Sequence, residues 1–168
     1  LKDIRDVEGE DLDGVTAVIH LAALSNDPLG SLDESLTRAI NYEGSMRLGE
    51  LAQGARVRRF VYASSQSMYG RAVTDVELEE DSSEKSPLTA YARTKWEAEQ
   101  GLMALRVPGF EVTAMRPSTV YGVSPRLRSD IVFNNFVMCA YSTGTIEIKS
   151  DGTPRRPATR RSCAPSGR

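Results

Sequence analysis

Residues 15–23 read VTAVIHLAA, nine positions without a charge and with only Thr16 and His20 polar. So short and nearly continuous an apolar run predicts a strand covered on both faces, the pattern of a parallel sheet. Downstream, Ser31 with Glu34 forms a capping-box start. Behind it Leu36, Ile40, Leu48, Leu51 and Ala55 recur at helical spacing to about residue 55. A second strand is read at residues 59–64, and residues 71–86, rich in acids and serines, as a surface loop. Ser86 as N-cap and Pro87 at the first turn open a helix that runs to about Arg106, before Pro108-Gly109. A third strand at residues 111–116, a helix at 130–141 and a short strand at 146–149 complete the reading. Strands alternating with helices of this length require crossover connections, so the fold class is α/β with a parallel, helix-covered sheet.

Composition narrows the function classes. The 168 residues are 40% hydrophobic and 26% charged, enough apolar surface for one domain's core and too much for a disordered chain. No apolar run reaches the ~18 residues of a membrane span, and the first residues lack the apolar run of a signal peptide. Cys139 and Cys163 make no metal or redox motif, and His20 is the one histidine, so no metal site is expected. A soluble, reduced, cytoplasmic domain is the expectation. Residues 155–168 hold five Arg and no acid, which leaves 16 of the 21 basic residues against all 23 acidic ones, a net −7 over the body. An acidic body argues against nucleic acid as partner. The basic end, without interleaved aromatics, reads as a disordered tail.

In an open α/β sheet, ligands bind outside the carboxyl ends of the strands. Three polar clusters fall there: His20 to Ala23 with Ser25-Asn26, Ser64 to Ser67, and Arg116 to Thr119. Each cluster also fits simple strand termination; three together point to one crevice. Tyr91 and Lys95 are the sharper pair. Spacing of i, i+4 stacks them on one helix face. A nearby ammonium favours the phenolate and lowers a tyrosine's pKa, ordinarily about 10, toward useful acid/base chemistry. Alone, the pair equally fits a packed tyrosine beside a solvated lysine.

In combination, Ser64-Ser65, Tyr69-Gly70 and Tyr91-Ala92-Arg93-Thr94-Lys95 resemble the extended short-chain dehydrogenase/reductase superfamily, and within it the NAD-dependent sugar-nucleotide epimerase/dehydratase family. Asp3-Ile4-Arg5-Asp6, His20-Leu21-Ala22-Ala23, Asn41, Arg116-Pro117, Val120-Tyr121-Gly122, Asn134-Asn135-Phe136 and Asp151-Gly152-Thr153-Pro154 extend the match over residues 3 to 154. The resemblance implies NAD as cofactor and a nucleotide sugar as substrate. Asp3 and Ile4 would sit against the adenine, and Leu21, Ala22, Ala23 and Pro117 would line the cofactor. Lys95 would bind the nicotinamide ribose, Tyr91 would be the acid/base, and Ser65 would hydrogen-bond the sugar hydroxyl. Ser25, Thr119, Asn135 and Phe136 would contact substrate. The implied reaction is transient oxidation of a sugar hydroxyl, with hydride returned to the opposite face.

Two departures refine this. The dehydratase branch carries an Asp-Glu pair after its Thr; this chain has Gln66-Ser67, which disfavours 4,6-dehydration. The chain contains no Gly-x-x-Gly-x-x-Gly turn and starts where the family's third strand ends. The expectation is therefore a partial Rossmann-like doubly wound sheet, lacking its Gly-rich strand-turn-helix. Residues 1–125 form its later portion, 126–154 the start of a substrate region and 155–168 the tail. A truncated epimerase with doubtful activity alone is the first reading. A sugar-nucleotide dehydrogenase or reductase, or a noncatalytic Rossmann-like remnant, are the rivals. A homodimer through helices 33–55 and 87–106 would follow the family's pattern.

Overall fold

The computed structural model of the chain describes residues 2–25, 32–70, 78–81 and 83–148. Three strands, β1 (Ala17–His20), β2 (Arg59–Ala63) and β3 (Glu111–Met115), form a parallel sheet in the order β1-β2-β3. His20 stands opposite Tyr62 and Tyr62 opposite Ala114, so the carboxyl ends of the strands line one edge. β-Branched and aromatic residues fill these strands, as a pleated, packed surface favours.

β1 is shorter than the apolar run that announced it. Pairing stops at His20, and beyond it the Leu24 backbone bonds to the Asn41 side chain instead of to a strand.

A continuous helical stretch follows: α1 (Glu34–Arg38), a π-helical turn (Ala39–Glu43) and α2 (Gly44–Gly54). Its N-cap is Asp33, whose carboxylate accepts from Leu36 N at 2.9 Å, in place of the expected Ser31, which lies outside the described residues. A carboxylate at that end satisfies an orphan N–H and meets the positive end of the helix dipole.

The helix after the loop, α3 (Ala90–Ala104), begins three residues later than the sequence suggested. Thr89 caps it, its hydroxyl accepting from Ala92 N at 3.1 Å. Ser86 does not serve, and its carbonyl packs instead against Gly70. α4 (Val132–Thr143) ends on Gly144 in the left-handed region. The strand expected at 146–149 is not formed over residues 145–148, where Ile146 and Ile148 are exposed without a partner strand; Lys149 lies outside the described residues.

The chain divides into two compact units, one holding the described residues of Leu1–Arg71 and Glu80–Pro117, the other those of Ala72–Glu79 and Ser118–Arg168. In the first, Phe60, Tyr62 and Val112 on one sheet face pack with Leu48, Ala52, Ala98 and Leu102 from α2 and α3. Leu102 is fully buried there, and Met103 and Leu105 pack beside it. α2 and α3 approach closely because Gly49 leaves room for Leu102 and Gly101 for Met46. The opposite sheet face is open, with Ile19 69% and Met115 51% exposed. In the second unit Asn134, buried, accepts from Gly122 N at 3.1 Å and donates to Arg128 O at 3.0 Å, fixing the turn ahead of α4. Among the described residues no helix is long and apolar enough to cross a membrane.

Candidate active site

β2 delivers two serines at its carboxyl end. Ser64 N still donates to Met115 O at 2.8 Å, so the chain stays on the sheet edge for one more residue. Ser65 then caps a 3-10 turn (Gln66–Tyr69), its Oγ accepting from Ser67 N and donating to Ser67 Oγ, both at 3.1 Å. Gly70 closes the turn at φ +70°, a conformation that a side chain resists.

α3 brings the other two residues. Lys95 is 2% exposed, and its Nζ donates to Ala63 O at 2.8 Å, two residues before Ser65. The structure therefore decides against a solvated lysine. Tyr91, one turn earlier on α3, is half-buried. Among the described residues no carboxylate lies within ion-pair distance of Lys95. Burial alone pulls its pKa down to about 8.

Around this pair lies a buried polar layer. The Ser45 hydroxyl donates its one proton to Asn41 O at 2.7 Å. His20 Nε2 stands 2.7 Å from the same hydroxyl, a second buried hydrogen bond of Ser45. Burial first, and the Lys95 charge second, push the His20 pKa down to about 4. Asn41, wholly buried in the π turn, accepts from Leu24 N at 2.8 Å and donates to Leu24 O at 3.1 Å. Its amide also reaches Thr94 Oγ1 of α3 at 3.5 Å. Asn41 thus ties the loop after β1 to the helix that carries Tyr91 and Lys95.

A buried ion pair holds the other side. Arg116 donates to both Glu99 oxygens, at 2.5 to 3.2 Å, and through Nη1 to Tyr69 OH and Glu80 O, each at 2.6 Å. Glu99 is on α3 one turn beyond Lys95, so this pair links that helix, the end of β3 and the turn that begins with Ser65.

The expected site residues thus divide. Ser65, Tyr91 and Lys95 lie in the first unit, the serine on the turn after β2 and the other two on α3. Leu21, Ala22 and Ala23 follow β1 on the same sheet edge; Leu21 and Ala22 are exposed, as is Ser25, and Asn26 lies outside the described residues. Pro117, exposed, follows Arg116 after β3. Asp3 caps a 3-10 turn (Ile4–Asp6), and its two oxygens sit in the fork of Arg5, which holds its carboxyl at about 2. Ile4 packs on the core beside Gly44. Thr119, Asn135 and Phe136 belong to the second unit, the first two exposed and Phe136 half-buried. Asp151 to Pro154 lie outside the described residues.

Sequence reasoning passed over Glu99, Ser45, Thr94 and Tyr62. The signal was present for Glu99, since Tyr91, Lys95 and Glu99 repeat at i, i+4, i+8 and so share one helix face.

The sequence model described as the NAD dependent epimerase/dehydratase family matches residues 2–159. UDP-glucuronate 4-epimerase of Thermodesulfobacterium geofontis is 32% identical over 154 residues, covering 86% of this chain and 44% of that protein. dTDP-D-glucose 4,6-dehydratase of Bos taurus is 31% identical over 138 residues, covering 77% and 38%. Among solved structures, MoeE5 in complex with UDP-glucose and NAD superposes with a TM-score of 0.70 at 30% identity, covering 82% of this chain and 46% of that one. The chain spans under half the length of these relatives.

Proposed function

The chain belongs to the NAD dependent epimerase/dehydratase family, and from that premise we propose that it carries the catalytic residues of a sugar-nucleotide epimerase working with bound NAD. The observation that carries this reading is Lys95, an ammonium buried with no carboxylate partner among the described residues, one helical turn from Tyr91. A buried cation stabilises negative charge nearby far better than a solvated one, so it favours the phenolate of Tyr91.

NAD, when bound, supplies the hydride acceptor and donor. The residues present fit it: the Lys95 ammonium has protons beyond the one given to Ala63 O, suited to ribose hydroxyls. Leu21 to Ala23 and Pro117 would line the cofactor, and Asp3 and Ile4 would stand on the adenine side. Tyr91 takes the proton of a sugar hydroxyl at its phenolic oxygen and returns it at the end of the cycle. Ser65 Oγ, now donating to Ser67 Oγ, turns its proton to the sugar oxygen as charge develops there. Ser25, Thr119, Asn135 and Phe136 are assigned to the nucleotide sugar.

Epimerisation is favoured over dehydration by the residues after Ser65. Eliminating water needs a titrating acid and base beside the sugar. Gln66 and Ser67 supply neither, and Ser67 is bonded to Ser65 through both its backbone and its hydroxyl. The test is to incubate the chain with NAD and UDP-glucose or UDP-glucuronate and identify products by proton NMR. Formation of the 4-epimer, lost in Tyr91→Phe, supports the epimerase reading. A 4-keto-6-deoxy sugar would establish dehydration instead, released NADH a dehydrogenase, and no turnover with NAD bound a noncatalytic module.

A further inference from the structure

Lys95 needs something to keep it charged. It is buried, has no carboxylate partner among the described residues, and donates to Ala63 O. The other titratable groups around it offer little. Burial holds His20 on β1 neutral, Tyr91 one turn earlier on the same helix carries no charge while its phenol keeps its proton, and Glu99 on that helix is engaged by Arg116. Asn41 and Ser45 are uncharged. What does face the ammonium is an aromatic ring: Lys95 Nζ lies 4.7 Å from the centroid of Tyr62 on β2.

We propose that Tyr62 is a positioning residue for Lys95, its ring face holding the ammonium charged and fixed over the carboxyl end of β2. The inference rests on the reading of Lys95 given above and adds a residue to it. A cation within about 6 Å of a ring centroid is attracted by the ring quadrupole, most strongly where water is excluded. Tyr62 is wholly buried, so its face meets the ammonium in a dry setting. Its own place is fixed by packing: it pairs with His20 and Ala114 in the sheet, and its ring lies 5.4 Å from the His20 ring. The Tyr62 hydroxyl is buried without a hydrogen bond of good geometry, with Ser45 the group that most offsets that burial. The ring is therefore the functional part and the hydroxyl is not. Two constraints act together on Lys95: Ala63 O sets the direction of one N–H, and the adjacent residue's ring opposes loss of the proton that burial promotes.

The test leaves shape unchanged and alters only the ring's charge distribution. In the full 168-residue chain, Tyr62→Phe and Phe analogues with one and three ring fluorines are placed at position 62. The Lys95 Cε resonance, assigned with Lys95→Arg, is titrated by carbon-13 NMR. Wild type should show a midpoint near 8, and Tyr62→Phe should stay within a few tenths of it. Successive fluorination should lower the midpoint stepwise, by about one unit at three fluorines. A midpoint unmoved by fluorination in a folded chain would overturn the proposal. The readout needs no turnover, so an inactive chain would remove the epimerase reading and leave this result standing.

Discussion

Asn41 grips Leu24 by both of its backbone polar groups, accepting from the N–H at 2.8 Å and donating to the C=O at 3.1 Å. One side chain thereby does for the loop after β1 what a neighbouring strand did for β1 itself. The first prediction concerns this grip. Asn41→Ala leaves two backbone groups of a part-buried residue without partners and should cost about 1–3 kcal/mol. Asn41→Asp should be worse, because it replaces a donor with a buried charge. Urea unfolding measures both costs. Hydrogen exchange at the Leu24 amide should accelerate beyond what the global loss explains, and unchanged relative protection there would refute the grip.

Glu99 and Arg116 supply the second prediction. Their side chains are 5% and 14% exposed, so removing either leaves the other as an unpaired buried charge. Glu99→Met or Arg116→Met alone should destabilise by about 3–5 kcal/mol, and the double variant by much less. A double-mutant cycle in urea checks this; additive losses would mean that solvent already screens the pair. The same variants should loosen the Tyr69 end of the turn that Ser65 caps, since Arg116 Nη1 donates to Tyr69 OH.

Two glycines at positive φ provide a third test. Gly14 has φ +73° and Gly70 φ +70°. An added Cβ at Gly14 meets nothing within 4 Å, whereas at Gly70 it runs into Ser86 O. Gly14→Ala should therefore cost only the left-handed penalty, about 1 kcal/mol. Gly70→Ala should cost clearly more, because φ +70° with ψ −139° suits essentially glycine alone and the added Cβ would meet Ser86 O. Equal midpoints on thermal unfolding would contradict the close approach.

The reading of the strands from their apolar runs and of the helices from spacing carried the fold because those signals are local. β2 and β3 came within a residue of their ends. The misplaced elements are those decided by tertiary contacts. Thr89 replaced Ser86 as cap because the Ser86 backbone is committed to Gly70, which no spacing rule reveals. Residues 146–148 have strand composition but pair with no strand among the described residues. At the site, Ser65, Tyr91 and Lys95 were legible as residue types at telling distances along the chain. Their surroundings were not: Tyr62 reads as one more strand aromatic until the fold places Lys95 over its ring. The His20–Ser45 bond joins residues 25 apart that carry no joint signature.

His20 yields the last prediction, through linkage. The unfolded chain takes up the imidazole proton near pH 6.5, while in the fold burial and the Lys95 charge hold that pKa at about 4. Between those values the unfolded state binds more protons than the folded one, so stability must fall as pH falls through the window. The full loss on reaching pH 4 is about 3 kcal/mol. His20→Gln keeps a polar partner for Ser45 and cannot titrate, so its stability curve should lack this component. Taking the difference between the two urea-derived curves removes the background from carboxylates, which titrate in both proteins. Lys95 gives the complementary signature at the alkaline end. Its folded pKa of about 8 lies below the unfolded value near 10.5, so stability should rise with pH across that interval. Ring nitrogen shifts provide the direct check on His20: the imidazole should stay neutral down to about pH 4. An imidazole titrating near 6.5 in the folded chain would show that water reaches His20 and that the layer beneath Lys95 is not dry.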